Sequence, residues 1–230
     1  MHHFGLWDES VSCERAAPVS LEWLRCRAWQ TLNTRKNILM QTTSAVSQIK
    51  ALKSYFTVFC VAMVVAIPLL IIPSAVFGHT DPLEPEKLAQ PMVLNLAIMF
   101  IAVMVLLIGA ISGLMLHYRL WKLIPKDIAR TTPSKAVIFM FITFFNLYWA
   151  FISCWGLSKD MNRTLQQRDI QHQVSESLGL WVCILGIVSL ICIQIPYVDI
   201  LLTPLSFIVW IFFYKSVMNG AIALLQREEA

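Results

Sequence analysis

A chain of 230 residues that is 57% hydrophobic, only 14% charged and of mean hydropathy +0.65 is too apolar for a water-soluble domain. Eighteen Lys and Arg against fourteen Asp and Glu leave a net charge of +4. The charges lie between apolar runs, so they bear on membrane orientation and form no basic stripe suited to nucleic acid. The fold class expected is all-α, a polytopic transmembrane helical bundle.

Residues 1–54 form an N-terminal segment expected on the cytoplasmic side. Two readings of its first part stand. In one, Leu21, Leu24, Ala28 and Leu32 recur at helical spacing opposite Arg25, Arg27 and Arg35, giving an amphipathic helix on the membrane surface. In the other, the native start is Met40 and residues 1–39 carry no selected structure. The second is preferred because the stretch from Met40 leads directly into the first apolar run. That run is longer than the apolar stretch of a cleaved signal peptide and begins far from Met1.

Residues 55–225 form the transmembrane domain, with runs at 55–77, 92–116, 136–157, 178–196 and 199–220, and residues 226–230 form a tail. The first run has no charge, is long enough to span about 30 Å of hydrocarbon, and contains Pro68 and Pro73, expected as packing kinks. The connection after it is acidic and proline-rich and is expected outside. The second run ends with Gly109 and Gly113 four apart, a spacing that lets another helix approach closely, within the chain or from a second copy. The next segment carries Arg119, Lys122, Lys126, Arg130 and Lys135 against Asp127 and reads as a cytoplasmic basic loop.

The third run, if helical, puts Thr143, Asn146, Ser153 and Gly156 close to one face. This polar stripe serves either as interhelical packing or as the lining of a ligand or lipid pocket. Beyond it, Asp160 and Arg163 stand at i,i+3, and Met161 and Leu165 share a face. The last two runs read as a helical hairpin. Five crossings are expected from length, since the third run reaches about 33 Å. Charge favours four, with the third run entering and leaving by one face, because only then does every Lys and Arg except Lys87 become cytoplasmic. Tyr148 and Trp149, residue types that prefer the interface, would lie near mid-membrane in a straight span. Five is the version adopted, because non-helical backbone at membrane depth must be buried in protein.

The residues Phe145, Asn146, Tyr148, Trp149, Trp155, Gly156, Lys159, Asp160 and Asn162 compose an F-N-x-Y-W, then W-G, then K-D-x-N segment. This segment resembles that of a family of uncharacterised bacterial multi-pass membrane proteins, over about 30 residues; members often have proline where Thr143 stands. The resemblance implies a polytopic inner-membrane protein and no activity.

Six cysteines contain no C-x-x-C pair, and four of them lie in apolar runs, as small hydrophobes do. No nucleophile elbow, metalloprotease motif, phosphate-binding loop or intramembrane carboxylate pair occurs. His79 with Asp81, His117 with Asp127, and His172 are expected as ordinary loop residues. The function expected is therefore a non-enzymatic scaffold or partner-binding membrane subunit, without cofactor or metal. The alternative is a small passive transporter, channel or lipid-binding protein using the stripe of Thr143, Asn146 and Ser153. Its partners would be membrane lipids and either a membrane-protein companion or a second copy, with no nucleic acid, in a bacterial inner membrane.

Overall fold

A computed structural model describes residues 21–77, 85–192 and 198–227. Among these residues the regular elements are all helical: α1 (Leu21–Phe77), α2 (Pro85–Lys122), α3 (Pro133–Ile138), a 3-10 turn (Phe139–Phe141), α4 (Thr143–Ala150), a π turn (Phe151–Trp155), α5 (Gly156–Gln167), α6 (Glu176–Cys192) and α7 (Val198–Arg227). Three stretches within them are long and apolar enough to cross a membrane, Trp23–Leu69, Met92–Lys122 and Leu201–Arg227. The fourth run forms α6, a shorter apolar helix of 17 residues. His79, Asp81 and residues 193–196 of the fourth run lie outside the described residues.

The chain divides into two compact units between Ser47 and Gln48. In the first, residues 21–47 are helical, and every side chain from residue 27 to 41 is exposed. Its threonines satisfy their own hydroxyls one turn back, as Thr31 does at the Arg27 carbonyl (3.0 Å) and Thr34 at that of Gln30 (2.8 Å). Arg27 lies 4.1 Å over the Trp23 ring.

In the second unit α1 continues through Pro68 and Pro73 and packs on α2. The glycines of α2 make this contact close: a Cβ on Gly109 would lie 2.8 Å from the Ala62 Cβ, and one on Gly113 3.0 Å from the Phe59 ring. Across the same seam the Ser112 hydroxyl donates to the Tyr55 carbonyl at 2.8 Å. At its N-terminus α2 begins at Pro85, where proline's missing N–H costs nothing. Half of the expected acidic connection is therefore helix. At its other end α2 takes in Arg119 and Lys122, and Lys135 belongs to α3, so only Lys126 and Arg130 of the basic loop lie on irregular backbone.

The third run is not one helix. Ile142 is extended (φ −87, ψ 105), and the chain folds back there. As a result, the Ala136 carbonyl accepts from both Trp149 Nε1 (3.3 Å) and Ser153 Oγ (2.9 Å). Phe139 stands edge-on to Trp149 with centroids 4.8 Å apart. The two ends of the run meet: Arg130 Nε donates to Asp160 Oδ1 at 2.9 Å. A straight span of about 30 Å would hold those two residues on opposite sides of the hydrocarbon. The expected single face of Thr143, Asn146, Ser153 and Gly156 assumes an unbroken α-helix, and the π turn Phe151–Trp155 interrupts it within the second arm.

α5 ends in a complete Schellman turn: Asp169 N donates to the Gln166 carbonyl (3.1 Å) and Ile170 N to that of Leu165 (3.0 Å). Asp169 takes the left-handed position usually given to glycine, at φ 53. Met161 and Leu165 are fully buried beneath it and face Gly220 of α7. A Cβ on Gly220 would lie 2.6 Å from Val174, so the closing turns of α7 touch both α5 and the segment after it. α7 itself starts at Val198, one residue before the expected fifth run, and runs through Pro204.

Candidate functional site

Asp160 and Asn162 of α5 are the centre of a polar cap that ties the flanking segments to this helix. Asp160 is fully buried and holds the segment leading into the hairpin, accepting from Arg130 N (3.0 Å) and Arg130 Nε (2.9 Å), with Arg163 Nη1 at 3.4 Å. Two residues on, Asn162 holds the segment leading to α6. Its Nδ2 donates to the Val174 carbonyl (2.9 Å) and Glu176 Oε1 (3.0 Å), and Val174 N donates to its Oδ1 (2.7 Å). Ser175 N donates to Ser216 Oγ of α7 at 3.0 Å, which ties the last helix to the same cap. The K-D-x-N positions are thus two pins, one for each flanking loop. Lys159 lies outside them, its Nζ 3.4 Å over the Trp155 ring.

A second network joins α2 to the hairpin. His117 and Trp121, one turn apart on α2, are buried against Ser153. His117 Nε2 is 2.7 Å from Ser153 Oγ, and Trp121 Nε1 is 3.1 Å from the Ser153 carbonyl. The neutral imidazole protonated at Nε2 satisfies every donor: it donates to Ser153 Oγ, whose hydroxyl donates to Ala136. The opposite tautomer would bury an unpartnered N–H at Nδ1, which has no partner among the described residues. His117 is therefore a structural residue inside a helix, not the loop residue expected, and Asp127 stands elsewhere, beside Arg163 in a shallow polar cleft. His172 is half-buried.

The stripe expected on the third run separates into different roles. Ser153 is buried and doubly engaged. Asn146 is half-buried with no partner for Oδ1 among the described residues, and the side chain of Thr143 lies outside them. Phe145 stacks on Trp149 at 5.4 Å and leans on Tyr148 at 6.2 Å. Gly156 is not closely hemmed, since a Cβ there would meet nothing nearer than 3.6 Å. The glycine pressed against this segment is Gly179 of α6, whose Cβ would lie 2.9 Å from Ser158 Oγ and 3.1 Å from the Trp155 Cα. The spacing of His117 and Trp121 at i,i+4 was a signal for the network. Gly179 offered none.

Between the basic segment and the hairpin opens a cavity of about 520 Å³, with Trp121, Ile124, Phe139 and Trp149 among its lining and the charges of Lys122, Lys126, Arg130 and Lys135 around it. No carboxylate among the described residues lines it. Among the described residues, Lys122, Lys126 and Lys135 have no ion-pair partner, and Arg130 is engaged by Asp160. Arg119 is turned away, 5.1 Å over the Tyr55 ring, and lines a separate cleft with Gln48, Leu52, Lys122, Leu123 and Leu225. That cleft brings the middle of α1, the end of α2 and the end of α7 to one place. No cluster of His, Cys, Asp and Glu able to hold a metal occurs among the described residues. No protein-family model, curated protein or solved structure matches the chain.

Proposed function

We propose that this chain is a non-enzymatic scaffold of a bacterial inner membrane, a subunit that holds a companion chain or a second copy of itself through the face formed by the polar cap. Its crossings in this proposal are four, made by α1, α2, α6 and α7, with the third run dipping into the cytoplasmic leaflet and returning. The N-terminus, the basic segment and the C-terminus then share the cytoplasmic side. Every described Lys and Arg beyond Lys87 falls on that side too, as the positive-inside rule requires.

One observation carries the scaffold reading. Three buried polar side chains of the hairpin and α5 are engaged in holding backbone: Ser153 at Ala136, Asp160 at Arg130, Asn162 at Val174. Groups fixed in this way specify shape, whereas a conducting lining needs polar groups that face a water-filled path. The test is extraction in several mild detergents followed by native mass spectrometry of the intact particle. A second polypeptide, or a second copy, at fixed stoichiometry is expected. A bare monomer in every detergent, coupled with solute flux in proteoliposomes, would replace the scaffold with a passive transporter.

A further inference from the structure

We infer that the cavity beside α3 binds the phosphate group of an anionic amphiphile, a phospholipid of the leaflet into which the third run dips. The inference is independent of the scaffold reading; only the choice of leaflet rests on the four-crossing topology.

The charge around the cavity is one-sided. Among the described residues Lys122, Lys126 and Lys135 surround it without an ion-pair partner, and the nearby buried carboxylate, Asp160, is already occupied by Arg130. Three like charges on a concave surface focus a positive potential that a bound anion relieves. The donor set favours phosphate over carboxylate. Lysines act as point charges that close around a tetrahedral group from several directions, and Thr131 and Thr132 line the same cavity with hydroxyl-bearing side chains. The planar fork that grips two oxygens of a carboxylate or a phosphate belongs to arginine, and Arg130 already spends its Nε on Asp160, which leaves the lysine point charges to hold the anion.

An apolar part of the ligand is called for by the rest of the lining. Trp121, Phe139, Trp149 and Ile124 give the cavity an aromatic and aliphatic side that a free phosphate ion would leave uncovered. The position agrees: Trp121 and Lys122 close the membrane-length stretch Met92–Lys122, so the cavity opens at the level where headgroups lie. Its volume of about 520 Å³ lies in the range of small-molecule sites, enough for a headgroup and the first carbons behind it.

The experiment is native mass spectrometry of the full-length protein titrated with phosphatidic acid, phosphatidylglycerol or phosphatidylcholine of matched chains, and separately with inorganic phosphate. Both anionic lipids should be retained at least tenfold more tightly than phosphatidylcholine, and inorganic phosphate should neither bind comparably nor displace them. The triple variant Lys122→Ala, Lys126→Ala, Lys135→Ala should weaken retention about a hundredfold, at roughly fivefold per lysine. A control with the same loss of charge on α1, Lys36→Ala, Lys50→Ala, Lys53→Ala, should change it less than twofold. If the cavity triple does not fold, Lys126→Glu alone, on irregular exposed backbone, should still cost more than tenfold. Equal losses in the two triples, equal retention of phosphatidylcholine, or inorganic phosphate bound as tightly as lipid would each overturn the assignment.

Discussion

Asp160 is inaccessible to solvent, while the Arg130 side chain that meets it is 35% exposed, and this asymmetry decides which partner the structure can spare. Replacing Asp160 by Asn leaves an arginine that can turn to water, a loss of about 1 kcal/mol for the weakened bonds. Replacing Arg130 by Gln leaves a buried carboxylate with the exposed Arg163 as its remaining cation, and removal of one partner from a buried pair costs about 3–5 kcal/mol. Thermal unfolding in detergent should therefore show a clearly lower midpoint for Arg130→Gln than for Asp160→Asn; equal shifts would refute the account. Asn146 has the opposite character. Its Oδ1 meets no partner among the described residues, so Asn146→Leu should change stability by no more than about 0.5 kcal/mol or raise it. A loss beyond about 1 kcal/mol would restore the packing role that its place in the polar stripe led us to expect.

The helices differ in how closely their glycines are approached. On α2, Gly109 and Gly113 have no room for a side chain against Ala62, Met63 and Phe59, whereas Gly186 of α6 has nothing within 4 Å of an added Cβ. Gly113→Val should thus force α1 and α2 apart at a cost of about 1–3 kcal/mol. Gly186→Ala should gain about 0.5–1 kcal/mol from helix propensity alone. Paired melting curves test this, and the account fails if the two variants move in the same direction. The apolar stretches within α1, α2 and α7 were legible in composition, because a helix of membrane-crossing character needs only length and apolarity. Their ends were not. Pro85 falls in the expected acidic connection and instead opens a helix. The fold-back at Ile142 was hidden more deeply, since the turn carries no glycine, proline or charge, only a β-branched residue within an unbroken apolar run. What reveals it is contact between residues as far apart as Arg130 and Asp160, which no local pattern records.

At the scale of the whole chain two sequence signals did point to the hairpin. Charge counting left Lys159, Arg163 and Arg168 on the wrong side of a straight third span, and Tyr148 and Trp149 stood at the wrong depth for one. The proposed topology is open to direct measurement by membrane-impermeant maleimide on single-cysteine variants in a cysteine-free background. Lys126→Cys, Gln167→Cys and Gln226→Cys should all label from the cytoplasmic side, and His79→Cys from the opposite side. Labelling of positions 126 and 167 from opposite sides would restore the fifth crossing. The hairpin tip has a mechanical consequence under this topology. Phe144 is 89% exposed, Phe141 69% and Tyr148 64%, so the tip is built to contact acyl chains. Seated in one leaflet, it adds lateral area there and none in the other, an imbalance that a flat bilayer must bear as bending stress and a convex cytoplasmic surface relieves. Reconstituted with that surface outward, the protein should enrich in small vesicles over large ones, and polar substitution of Phe141 and Phe144 should erase the preference.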